Sequence, residues 1–108
     1  MTEFYTQLDR LNETIRGRQA AGAAEKSYTA QLLSAGPERC AKKFGEEAVE
    51  LIIAATAQGK EATIAEAADV IYHFLVLLRA AGIDVNDVAT ELARREAQSG
   101  LEEKAGRS

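Results

Sequence analysis

At 108 residues with 46% hydrophobic side chains, the chain is long enough for one folded core and short for two. Its formal charge of -4 argues against general nucleic-acid binding, which takes a basic surface, and its single cysteine, Cys40, rules out an internal disulfide or a multi-cysteine zinc site and suits a reducing, cytoplasmic compartment. The opening MTEFYTQLDR lacks the apolar core of a signal peptide, and the longest uncharged apolar run, Val70 to Leu78, falls far short of the roughly 20 residues of a membrane span, so a soluble single domain over residues 1–108 is expected.

Phe4, Leu8, Leu11 and Ile15 recur at spacings of four, three and four, which predicts a first helix over about 3–16. The period is lost in GRQAAGAAEK, residues 17–26, which reads as a loop able to order over a substrate, with Arg18 and Lys26 among flexible glycines. Ser27 then caps a short helix from Tyr28 to about Ala35 that Gly36 ends, and Pro37 suits the first turn of the next, where no backbone N–H is needed. That helix is expected to reach Gln58 and stop at Gly59. A second long helix follows from Lys60 or Glu61 to about Ala81, closed by Gly82. Asp84 caps a last helix over about 85–98, with Ile83 and Val88 placed as a hydrophobic staple. The polar stretch SGLEEKAGRS, residues 99–108, reads as a partly ordered tail. No alternating pattern argues for strands, so the fold class is all-α: a helical bundle of two long antiparallel helices with shorter flanking ones.

The chemistry gathers on the two long helices. Glu46, Glu47 and Glu50 precede Gly59, and Glu66 and Asp69 follow it. Glu47 and Glu50 are three residues apart, as are Glu66 and Asp69, so each pair projects from one helix face. Glu50 lies nine residues before Gly59 and Asp69 ten after it, which sets them nearly level in an antiparallel hairpin. Glu50 is also the only charge in AVELIIAATA, residues 48–57, where a carboxylate among apolar neighbours needs a cation or a donor. Carboxylates this crowded repel and raise one another's pKa unless a cation lies between them, and all-oxygen ligation points to Mg²⁺, with Mn²⁺ as the alternative. The competing reading is a solvated face of i,i+4 pairs, which suits Glu46 and Glu47 beside Lys42 and Lys43 better than it suits the other three. A di-iron carboxylate bundle wants Glu-x-x-His, and Val70 stands where that glutamate would be relative to His73.

Four segments together carry a family resemblance: Ser27-Tyr28-Thr29, GPERCAKKFGEEAVELIIAA (36–55), EAADVIYHFLVLL (66–78) and RREAQSGLEEK (94–104). The chain resembles the phosphoribosyl-ATP pyrophosphohydrolases of histidine biosynthesis. More widely it is similar to the all-α nucleoside triphosphate pyrophosphatases of the MazG type, through Glu46-Glu47-x-x-Glu50 followed by Glu66-x-x-Asp69. Ala97 replaces an expected glycine near the last helix end, away from the acidic cluster. The resemblance implies hydrolysis of 1-(5-phosphoribosyl)-ATP to 1-(5-phosphoribosyl)-AMP and pyrophosphate, with magnesium held by Glu47, Glu50, Glu66 and Asp69. Glu46, Glu47 and Glu50 are then the candidates for catalytic work, Glu46 as base or in support, with the base unassigned among the five acids. Lys42, Lys43, Arg94 and Arg95 are candidates for the phosphates, with Arg39 and Arg79 as substitutes, and Tyr72 for stacking on the purine. His73, four residues after Asp69, reads as a core or interface histidine, and Cys40 as a small buried apolar residue. One Cys and one His exclude a fused, cysteine-ligated zinc cyclohydrolase. Leu51-Ile52-Ile53 and Phe74 to Leu78 put apolar side chains on more than one face of each long helix, from which a homodimer is expected. A house-cleaning nucleotide pyrophosphatase and a non-catalytic helical module are the alternative functions.

Overall fold

In the computed structural model, which describes residues 2–22 and 27–98, the chain forms helices α1 (Thr2–Ala21), α2 (Tyr28–Ala35), α3 (Pro37–Ile53), α4 (Lys60–Ala80) and α5 (Val85–Ala97), with no strand among the described residues. The all-α expectation and the element order agree with this structure. α3 and α4 pair as a long antiparallel hairpin, α1 and α2 pack against one end of it, and α5 folds back on α4.

Local chemistry explains the boundaries. Ser27 accepts a hydrogen bond from the N–H of Ala30 at 3.1 Å, capping α2, and Asp84 accepts one from Asn86 at 2.8 Å, capping α5. Gly36 takes a positive φ of 96°, which separates α2 from α3 in one residue, and Pro37 opens α3. Gly59, with φ of 95°, does the same between α3 and α4.

Two boundaries differ from expectation. α1 continues through Gly17 to Ala21, because Arg18, Gln19, Ala20 and Ala21 are good helix formers and one interior glycine costs only about 1 kcal/mol. The expected loop therefore loses residues 17–21 to helix, Gly22 follows with a φ of 62°, and residues 23–26 lie outside the described residues, as does the expected tail from residue 99. The second difference is at the end of α3. Residues Ala54–Gln58 form a π-helical turn closed by a bond from Gly59 N–H to the Ala54 carbonyl at 3.2 Å.

The core lies where α1, α2 and the second half of α4 converge on the start of α3. Ile15, Leu32, Cys40, Leu75 and Val76 are buried there, with Leu11, Leu33, Ile71 and Phe74 packed around them. Cys40 donates its S–H to the Leu32 carbonyl at 3.2 Å, and burial pushes its thiol pKa up, as suits the buried small residue expected. The far arm of the hairpin is different: Val49, Ile52, Ile53 and Ile64 are all exposed. The Cα radius of gyration is 16.3 Å, against about 13 Å for a compact chain of this length.

Candidate metal and substrate site

The hairpin brings three of the predicted acids together. One carboxylate oxygen each from Glu47, Glu66 and Asp69 lie within 4.8 Å of one another, with Glu47 and Glu66 half-buried and Asp69 exposed. Glu66 is the most constrained member. Its Oε1 is shut off from solvent without a hydrogen-bond partner among the described residues, and its carboxyl is raised above the ordinary 4.5, first by desolvation and then by the charges of Glu50, Asp69 and Glu47. A sealed, donorless oxygen beside three other acids is what a hard cation would satisfy.

Glu50 does not join that trio. It opens instead, with Ile53, Gln58 and Glu66, onto a neighbouring space of about 160 Å³. Glu50 and its neighbours Val49, Ile52 and Ile53 are exposed, with Ile53 the apolar side chain beside Glu50 in that space.

The basic and aromatic candidates sort differently. Lys43 pairs with Glu46 at 3.2 Å rather than with Glu47, and its ammonium is raised first by that hydrogen bond and then by the neighbouring Tyr28. Lys42 and Arg39 are exposed. Arg94 binds both oxygens of Glu91, at 2.9 and 2.6 Å, and Arg95 adds a third bond at 3.0 Å, which together hold the Glu91 carboxyl at about 2. Arg79 has a buried Nε without a partner among the described residues.

Tyr72 packs between α2 and α4. Its hydroxyl is hydrogen-bonded to that of Thr29, which ties the first turn of α2 to α4, and its half-buried ring meets the His73 ring edge-on at 4.9 Å. His73 is buried, with Nδ1 2.8 Å from the Asp69 carbonyl and Nε2 lacking a partner among the described residues. That contact fixes the imidazole one turn along α4 from the trio, in the core position expected. Tyr28, which the sequence reading names within Ser27-Tyr28-Thr29 without giving it a role, lies beside this pair. Its ring stacks toward Tyr72 at 6.5 Å with a 21° tilt, meets His73 edge-on at 6.3 Å, and is 50% exposed. The signal available was its adjacency to the Ser27 cap, which fixes where α2 starts.

A sequence model of phosphoribosyl-ATP pyrophosphohydrolase matches residues 8–96. The chain is 55% identical over 102 residues to the phosphoribosyl-ATP pyrophosphatase of Paracoccus denitrificans, covering 94% of each chain. It is 56% identical over 100 residues to that of Roseobacter denitrificans, covering 93% of this chain and 94% of the relative. Against phosphoribosyl-ATP pyrophosphatase 1 of Bradyrhizobium diazoefficiens the identity is 58% over 97 residues, covering 90% and 91%.

Proposed function

The chain belongs to the phosphoribosyl-ATP pyrophosphohydrolase family, and from that premise we propose that its acidic cluster performs the family's reaction with a bound magnesium ion. The reaction is hydrolysis of 1-(5-phosphoribosyl)-ATP to 1-(5-phosphoribosyl)-AMP and pyrophosphate. The observation that carries the metal reading is the Glu66 carboxyl, one oxygen of which is sealed from water, pressed by three other acids.

Glu47, Glu66 and Asp69 would hold the ion, with Glu50 closing the side next to Glu66. Magnesium, when bound there, offsets the triphosphate charge and stabilises the departing pyrophosphate. A water oxygen attacks the α-phosphorus, the bond from that phosphorus to the β-bridging oxygen breaks, and pyrophosphate carries away the electron pair. The water's proton passes to a carboxylate. Glu50, exposed beside Glu66, is the member best placed to accept it, while Glu46, engaged with Lys43, supports the arrangement. Lys43, and Lys42 beside it, supply positive charge at the cluster's edge.

Pyrophosphate release from phosphoribosyl-ATP with added Mg²⁺, repeated with EDTA, tests this reading. Activity abolished by EDTA and restored by Mg²⁺ or Mn²⁺ supports it, with release far exceeding that from ATP or dUTP. Metal-independent activity refutes the metal site. A homodimer is proposed as the working form, because Val49, Ile52, Ile53 and Ile64 form an apolar arm that the protomer leaves open. Light scattering at micromolar concentration that finds only monomer overturns it. No helix among the described residues is long and apolar enough to cross a membrane, and the biosynthetic family is consistent with a cytoplasmic enzyme.

A further inference from the structure

We propose that Tyr28 is the substrate-stacking residue, its open ring face reading the N1-substituted, cationic purine that distinguishes phosphoribosyl-ATP from ATP. The inference rests on the reading that this substrate is hydrolysed at the Glu47, Glu66 and Asp69 cluster.

Three observations converge on that ring. First, it is held in place. Ser27 caps the start of α2, and the Thr29 hydroxyl bonds the Tyr72 hydroxyl, so residues on both sides of Tyr28 are fastened. Tyr72 stacks behind the ring and His73 meets it edge-on. Second, it is open. Tyr28 is 50% exposed, whereas Tyr72 and His73 are packed, with the Tyr72 hydroxyl tied to α2 and His73 Nδ1 to the α4 backbone. Third, a chain of contacts leads from it toward the acids. His73 is bonded to the Asp69 carbonyl, and Lys43, which lies within electrostatic reach of Tyr28, reaches Glu46 and feels Glu47. The span from Asp69 to Tyr28 is therefore about one helical turn along α4 followed by one ring-to-ring step of 6.3 Å. A nucleoside whose phosphates lie at the trio has its base within that reach.

The chemistry of the substrate supplies the selectivity. Substitution at N1 of adenine leaves the purine protonated and positively charged at neutral pH, whereas the adenine of ATP is neutral. A tyrosine face, negative at its centre, attracts a cationic ring more strongly than a neutral one. Tyr28 thus favours phosphoribosyl-ATP through its ring, with its hydroxyl dispensable.

Steady-state kinetics on the Mg²⁺-loaded enzyme test this with Tyr28→Leu, which keeps bulk and helix propensity but has no aromatic face, and Tyr28→Phe, which keeps the face. Tyr28→Leu should raise KM for phosphoribosyl-ATP roughly 5- to 30-fold, with kcat within about threefold, and Tyr28→Phe should stay within about threefold on both. An unchanged KM in Tyr28→Leu overturns the proposal, and so does an equal loss in Tyr28→Phe. A binding measurement without turnover separates this proposal from the activity itself. Calorimetric titration with 1-methyladenosine 5′-monophosphate should show affinity at least about fivefold above that for AMP in the parent protein, and no preference in Tyr28→Leu. Equal affinity of the parent protein for the two nucleotides refutes the stacking role even if hydrolysis is confirmed. A missing hydrolytic activity with the preference intact refutes the reaction and leaves Tyr28 standing.

Discussion

The two halves of α4 are built for different ends. From Lys60 to Val70 not one residue is buried, and this half carries Glu66 and Asp69. From Ile71 to Ala80 it buries His73, Leu75 and Val76 against α1, α2 and α3. The second half fixes the fold, and the first lies on the hairpin formed with α3 and the π-helical turn, with its carboxylates crowded at a cost in repulsion. His73 joins them, its ring in the core and its Nδ1 at the Asp69 carbonyl. Stability and function should therefore respond to substitution in opposite ways along one helix.

The largest contrast is expected at the acids. Asp69→Asn or Glu66→Gln should lower kcat for pyrophosphate release by about 100-fold or more while leaving the thermal midpoint of EDTA-treated protein unchanged or higher, since a repelling charge is gone. A midpoint falling with activity would erase the distinction between the halves. In the other half, Leu75→Ala should destabilise the fold by about 2–4 kcal/mol in urea titration, with the folded fraction keeping its KM. Ser27→Ala should cost about 1 kcal/mol through loss of the α2 cap, and a rise in KM with it would tie the cap to Tyr28 as well.

The smallest effect is a pH dependence of stability. The Glu66 carboxyl is raised above 4.5 in the folded state, so the folded chain holds a proton that the unfolded chain releases. In EDTA, stability should therefore fall as pH rises from about 4.5 toward neutrality, and Glu66→Gln should flatten that slope. Glu91 does not interfere: its carboxyl is held at about 2, so its contribution is complete above the unfolded value and is lost only as pH falls toward 2. Added Mg²⁺ should stabilise progressively more across the Glu66 window, because it competes with the proton.

Much of this arrangement is legible in the chain because its punctuation is strong. Ser27, Gly36, Pro37, Gly59 and Asp84 each act through a local backbone requirement, and each sits at the boundary it predicts. The end of α1 is less legible, since a fading apolar period marks where a helix leaves the core and not where it stops. The π-helical turn at Ala54–Gln58 has no mark in AATAQ. Glu66 and Asp69 could be grouped with Glu47 from spacing, whereas the exposure of Glu50 depends on what covers α3, which no local pattern encodes. Tyr72 and Tyr28 illustrate the same limit: both are aromatic and near the acids, and only packing assigns one to the core and the other to the surface.

The central claim, that the acids of the open arm grip a divalent cation, is tested most directly by titrating EDTA-stripped protein with Mn²⁺ and following free ion by electron paramagnetic resonance. Saturable binding that Mg²⁺ displaces, and that Glu66→Gln or Asp69→Asn weakens at least about tenfold, is the predicted result. Binding unchanged in both variants, or no saturable binding in the parent protein, would contradict it.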